Sequence, residues 1–256
     1  MTAGGVKGAL GRGLSFLALL ALWQAAALAL HSAELPSPLV VAGFAVDQAL
    51  HGDLLAQLAA TLRRVVISFA VAMAIGCAGG IALGLSRRLD ALFETWLLVL
   101  LNLPALVIAI LCYIWLGLTE AAAIVAVALN KIPNVVVILR EGTRAIDPGL
   151  EEMRRAFRLS PAAWGRHVLL PQLAPFVAAA ARSGLALVWK IVLLVELLGR
   201  GDGIGYAIST RFQLFDVRGV LGYAFAFTLV MLVVEYLVLQ PLEAHAGRWR
   251  PAPARA

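Results

Sequence analysis

The stretch EEMRRAFRLSPAAWGRHVLLP, Glu151 to Pro171, carries Glu151, Glu152, Arg154, Arg155, Arg158 and Arg166 where its neighbours carry almost no charge. Before it lies the apolar run Ala121–Leu139, and after it Pro175–Leu198. Proline breaks the stretch twice, at Pro161 and Pro171. The question is whether the chain merely loops between two membrane helices here or builds an ordered element.

Local signals favour order. Asp147 followed by Pro148 marks a helix start, a capping side chain before a residue with no N–H to leave unpaired. Glu151 and Glu152 then fall in the first turn, where the helix dipole favours carboxylates. Leu150, Met153 and Phe157 recur at helical spacing and form one apolar face. Ser160 and Pro161 restart a second helix by the same device, Trp164 and Val168 lie four apart on it, and Pro171 closes it. A solvated basic loop is the plainer alternative, but two capped helices are more order than a linker needs.

The rest of the chain sets the context. Of its 256 residues 62% are hydrophobic and 14% charged, against ~25% charged in a soluble domain. The chain reads as an all-α membrane protein. Its net charge of +6 reflects membrane topology rather than a nucleic-acid partner. Cys77 and Cys112 both fall in apolar runs and read as buried thiols, with no disulfide framework or metal site.

Six spans are expected: Leu14–Leu30, Val65–Leu85, Ala91–Leu118, Ala121–Leu139, Pro175–Leu198 and Gly219–Leu239. The first reads as a retained span rather than a cleaved leader, because it outruns a leader's apolar region. With the N-terminus inside, thirteen of the 21 lysines and arginines are cytoplasmic. Five fall outside: Arg63, Arg64, Arg200, Arg211 and Arg218. Both termini are therefore expected in the cytoplasm. Ser32–Leu62 reads as a turn and an interfacial helix on the outer side. The glycine-rich GRGDGIGYAI, Gly199–Ile208, reads as a flexible outer loop. The glycines of CAGG and GIALGL permit close helix packing.

Registered on Glu152, the stretch places Arg158 six residues on, Val168 ten further, and Leu170–Pro171 at its end. It thus resembles the cytoplasmic loop of ATP-binding cassette (ABC) importer permeases, which reads EAA, three residues, Gly, nine residues, Ile, any residue, Leu-Pro. TLRRVVISF at Thr61–Phe69, EGTRAIDPGL at Glu141–Leu150, LLVELLGRGDGIGYAI at Leu193–Ile208 and LEAHAGRWRP at Leu242–Pro251 are similar to the nitrate, sulfonate and taurine branch. The resemblance covers most of the chain from Thr61 onward. Arg158 replaces the family glycine, and Met153 and Arg154 replace its two small residues. A glycine there serves a left-handed turn, so Arg158 implies a different turn or one strained by roughly 1–2 kcal/mol.

The resemblance implies the type I ABC importer permease fold of six transmembrane helices, with a coupling-helix loop, 141–171, between helices 4 and 5. It divides the chain into residues 1–60, a permease core 61–250 and a tail 251–256. It implies a bacterial inner-membrane location, a second permease subunit forming a homodimer, and a periplasmic or lipid-anchored substrate-binding protein. A separate ATPase subunit would seat on the loop through Glu151, Glu152, Met153, Arg155, Phe157, Arg158, Ser160, Trp164, Leu170 and Pro171. ATP-driven closure then flips the pathway from inward- to outward-facing. This chain holds no nucleotide itself. Its lysines, Lys7, Lys131 and Lys190, precede neither Ser nor Thr in a glycine-rich loop, so no cofactor is expected.

Ionisable residues at bilayer depth are candidates for function. Asn130, Lys131 and Lys190 are expected to line a pathway favouring an anion. Glu196, which matches a family glutamate, is expected at the outer mouth, and Arg182 and Glu235 as a buried pair. An intramembrane enzyme is disfavoured, because every histidine and aspartate falls outside the spans and no metal motif exists. A channel or receptor satisfies the hydropathy but leaves the paired-helix loop unexplained.

Overall fold

The computed structural model describes residues 3–30, 32, 34–239 and 241. These are helical throughout, with no strand among them. The helices are α1 (Ala3–Leu30), α2 (Pro38–Leu50), α3 (Leu54–Leu85), α4 (Arg87–Asn102), α5 (Ala105–Leu116), α6 (Glu120–Arg144), α7 (Pro148–Ala156), α8 (Pro161–Trp164), α9 (Leu170–Gly199), α10 (Ile204–Gln213) and α11 (Val217–Val234).

Among the described residues four helical segments are long and apolar enough to cross a membrane: Leu54–Leu85, Glu120–Arg144, Pro161–Gly199 and Val217–Leu237. A fifth crossing would need α4 and α5 together, which meet at a 100° bend. Leu17–Leu30 is a shorter apolar segment. The single span expected at Ala91–Leu118 is therefore two helices. Pro104 dictates the break: it forces Leu103 out of the helical region, to φ −69° and ψ 128°, and α4 stops there. α3 also begins earlier than the expected Val65, so the boundary drawn at residue 60 falls inside it. α2 is a separate helix, capped by Ser37 through the Val40 amide.

α3 and α6 run parallel and in contact. A β-carbon on Gly76 would collide with Val135, one on Gly80 with Leu139, and one on Gly84 with Thr143. Each four-residue step on α3 meets a four-residue step on α6, so small residues let the two backbones approach as the sequence predicts. α9 packs on both. The core between them and α5, α10 and α11 includes Val65, Ala109, Tyr113, Val127, Val188, Val192 and Ile204. Trp23 stacks on Phe225, ring centroids 5.3 Å apart, and docks α1 beside α11.

Pro171 does not end the helix that starts at Pro161. A continuous helical run reaches Gly199, through a π-helical turn at Gly165–Leu169. A proline lacks the N–H for the α-helical bond and its ring crowds the carbonyl four residues back. The wider π-turn just before Pro171 relieves both, and a second π-turn, Glu235–Leu239, likewise sits two residues before Pro241.

Candidate functional site

Two regions bring together the residues that the sequence singles out, one at each end of the α3–α6–α9 bundle. At the first, TLRR on α3 meets VELLGRGDGIG at the end of α9 and start of α10. Arg64 is 1% exposed and Glu196 0%. The Arg64 guanidinium donates through Nη1 to Glu196 Oε1 at 2.7 Å and to the Asp202 carbonyl at 2.9 Å. Its Nη2 donates to Glu120 Oε2 at 2.8 Å and to the Asp202 carboxylate. Arg200 adds a second cation, 2.9 Å from Glu120 Oε2, and holds the Leu118 carbonyl at 2.8 Å.

Glu196 is saturated from its other side. Thr61 Oγ1 and the Gly205 amide donate to Oε2 at 2.8 and 2.9 Å. Thr61 accepts in turn from the Ile204 amide at 2.8 Å. Gly203 has φ +104°, and a β-carbon on it would strike the Glu196 carboxyl. Gly203 and Gly205, expected in a flexible loop, are instead buried at the start of α10, folded around a carboxylate. Burial alone raises the Asp202 carboxyl. The Arg64 hydrogen bond and the charges of Arg64, Arg200 and Arg63 outweigh it and hold the group below the usual carboxylate range.

Charge counting placed Arg64 on the outer side and said nothing of its burial, which the structure adds. The missed signal was the stripe Leu54, Leu58, Thr61, Val65, Ser68, Ala72, all buried. It carries the core-facing side of α3 past Arg64, and Gln57, which accepts from the Gly203 amide, lies beside it.

The second region is the elbow. The Asp147 carboxylate accepts from the Gly149 amide at 2.8 Å as α7 begins, and Ser160 caps α8 through the Ala163 amide at 3.2 Å. The Leu159 amide donates to the Arg154 carbonyl at 3.0 Å, closing α7 with Arg158 in the left-handed region at φ 48°. The left-handed turn is kept without its glycine. Phe157 beside it is 73% exposed. Glu152, Arg158, Ser160, Leu170 and Pro171 are also exposed, and Met153 and Trp164 half-buried. The side chains of Glu151 and Arg155 lie outside the described residues. The Arg154 guanidinium sits 6.0 Å from the Trp164 ring centroid. Beneath the elbow, Gly84, Thr143, Ile146, Trp164, Gly165 and Leu169 help to line a cavity of about 580 Å³. At this end Asp90 at the start of α4 pairs with Arg140 at 3.0 Å and with Arg144.

The four expected pathway residues separate. Lys131 is fully buried, donating to Asn134 Oδ1 at 2.9 Å and the Ala180 carbonyl at 3.1 Å. Its methylenes occupy the space a side chain at Gly184 would need. Asn130 donates to the Ala126 carbonyl at 2.8 Å. Glu196 belongs to the Arg64 network. Lys190 is exposed, facing the gap between α9 and α11. Glu235 faces the same gap. Among the described residues no cluster of histidine, cysteine, aspartate or glutamate could hold a metal.

Several helices apolar and long enough to cross a membrane mark a multi-pass membrane protein. Residues 68–240 match the family described as binding-protein-dependent transport system inner membrane component. A putative aliphatic sulfonates transport permease protein, SsuC of Escherichia coli (strain K12), is 30% identical over 91% of this chain and 89% of its own length. A nitrate import permease protein, NrtB of Synechocystis sp. (strain ATCC 27184 / PCC 6803 / Kazusa), is 28% identical over 59% of this chain and 55% of its own. In fold, a chain of the inward-facing MetNI methionine ABC transporter superposes with a TM-score of 0.65 at 18% identity, covering 78% of this chain and 97% of that one. The chain belongs to the binding-protein-dependent inner-membrane permeases of ABC importers, in the branch that includes sulfonate and nitrate permeases. It is a transport subunit and not an enzyme.

Proposed function

We propose that this permease is one of two identical membrane subunits of an importer for a small anion, sulfonate, taurine or nitrate in kind. A periplasmic or lipid-anchored binding protein delivers the solute to the Arg64 end. A separate ATPase subunit, which alone binds ATP, seats on the elbow through Glu151, Glu152, Met153, Arg155, Phe157, Arg158, Ser160, Trp164, Leu170 and Pro171. Both termini and the elbow lie in the cytoplasm, with six spans counted from α1. Lys190 is the pathway cation within solute reach, while Lys131 and Glu196 hold the helices that frame it.

The observation that carries this reading is Phe157, a large apolar ring at 73% exposure on the turn that ends α7, between two spans. A ring presented to water at the end of a helix suits insertion into a partner's groove. The sulfonate and nitrate relatives support the solute class. The test is uptake of labelled sulfonate and nitrate into vesicles holding permease, ATPase and loaded binding protein. ATP-dependent uptake that disappears when residues 148–160 are replaced by a glycine-serine linker is expected. Uptake that persists with that linker overturns the coupling role.

A further inference from the structure

At the start of α11 two arginines share one aromatic ring. The Arg218 guanidinium lies 5.1 Å from the Phe44 ring centroid and that of Arg211 5.5 Å from it. Arg211 is balanced by Asp216, 3.3 Å away, whose carboxylate also accepts from the Gly219 amide at 3.0 Å as the cap of α11. Arg218 is exposed and makes no hydrogen bond or ion pair with another described residue. An exposed ring holds a cation only weakly, and the second guanidinium repels it. This rim therefore carries a positive charge that no carboxylate in contact with it offsets.

The same two helices, α2 and α11, open a groove next to the rim. Phe44 packs on Gly222, where a β-carbon would strike its ring. Ala45, the next residue on α2, and Phe225, on the following turn of α11, line a cavity of about 400 Å³. Its other walls include Leu19, Trp23, Leu39 and Ala42, and no charged side chain among the described residues faces it. The Trp23 indole N–H already donates to the Pro36 carbonyl at 3.1 Å. The groove thus offers a polar solute no partner and suits hydrocarbon. Depth agrees with this. From Arg218 to Phe225 α11 advances roughly 10 Å at ~1.5 Å per residue, along a segment apolar enough to cross a membrane. The arginine stands at the edge of the hydrocarbon and the ring inside it.

We propose that this site holds one anionic glycerophospholipid, with its phosphate on the Arg218 guanidinium and an acyl chain in the groove against Trp23 and Phe225. Charge complementarity selects the headgroup: a zwitterionic lipid would bring its own ammonium to a rim that already holds two guanidiniums, whereas an anionic one brings only charge that they attract. The acyl chain adds apolar contact that a free phosphate lacks. The site stands apart from the solute pathway and from ATPase docking, and needs only that α11 crosses the membrane.

The test uses the full-length permease in phosphatidylcholine nanodiscs that contain a small fraction of phosphatidylglycerol or phosphatidylethanolamine brominated on its acyl chains. Bromine quenches the tryptophans it touches, so fluorescence lost by wild type but not by Trp23→Phe reads the groove. Half-quenching is expected at about fivefold less brominated phosphatidylglycerol than phosphatidylethanolamine, the effect of one arginine at a membrane surface. Arg218→Gln should erase that preference. Ala42→Phe, which fills the groove, should abolish the Trp23-dependent quenching by both lipids, with melting temperature as the folding control. Equal quenching of wild type by the two lipids overturns the proposal whatever the variants do. So does a preference that survives Arg218→Gln, or quenching that Ala42→Phe leaves untouched. Soluble glycerol phosphate separates the two sources of the phosphate: an undiminished lipid preference in its presence is expected, and loss of that preference would show that the arginines take a free phosphate, which overturns the lipid site.

Discussion

The Arg64 end and the elbow end of the same helix bundle are held by opposite means. At the first, side chains from α3, α6, α9 and the start of α10 bury an arginine and a glutamate completely and satisfy both. A fully connected buried network is rigid and breaks as a unit. At the second, the elbow rests over a cavity, turns through a left-handed arginine and enters α9 by a π-turn. Few buried contacts and local strain mark a segment that moves at low cost. The contrast sets a yielding elbow at one end of the bundle against a fixed network at the other.

The largest effect should come from breaking the fixed end. Arg64→Ala strands Glu196 at 0% exposure without its counter-charge, and removing one partner of a buried pair costs about 3–5 kcal/mol. Thermal unfolding in detergent should show the loss, with Arg64→Met/Glu196→Met milder than Arg64→Met alone. An Arg64→Ala protein melting with wild type would erase the contrast. Next is Gly184→Ala, whose methyl would land on the Lys131 side chain. Overpacking of that kind costs about 1–3 kcal/mol, and adding Lys131→Ala, which removes the Cε and Nζ that the methyl would strike, should recover part of it. No recovery would mean that the α6–α9 seam is not held by that lysine.

Smaller in stability but larger in partnership is Phe157→Asp. An exposed ring contributes little to folding, so the melting temperature should move by less than about 0.5 kcal/mol of stability. Association with the ATPase should fall tenfold or more, as for an anchor side chain at an interface. Equal co-elution of the ATPase with variant and wild type would remove Phe157 from the docking surface.

Much of this was legible in the chain. The helical spacing of Leu150 and Met153 and the Asp147 and Ser160 caps gave α7 and α8, since those signals are local, while Phe157 falls just past the end of α7. The glycine steps on α3 gave its close packing. Two things were not legible, and for different reasons. Pro171 read as a stop, yet one residue of slack in a π-turn lets the helix continue, and no composition signal distinguishes a break from a bulge. The burial of Arg64 was missed because lysine and arginine counting is blind to partners more than 130 residues away. Only the buried stripe through Leu58, Thr61 and Val65 pointed inward, and it was hidden by starting the span at Val65.

The finest distinction concerns the turn at Arg158. The Leu159 amide reaching back to the Arg154 carbonyl makes this the usual end of a helix in which the left-handed residue is glycine. Arg158 adopts φ 48° with a β-carbon present, at a cost of roughly 1–2 kcal/mol. Arg158→Gly relieves that cost but loosens the unfolded chain, which returns part of the gain. The net expectation is about 0.5–1 kcal/mol of added stability, read as a small rise in melting temperature, while Arg158→Ala keeps the strain and stays near wild type. That pair of variants separates backbone from side chain: if alanine stabilises as much as glycine, the arginine's charge and not its φ was the burden. A glycine variant that is more stable yet couples ATP to uptake less well would show that the elbow uses its strain to yield.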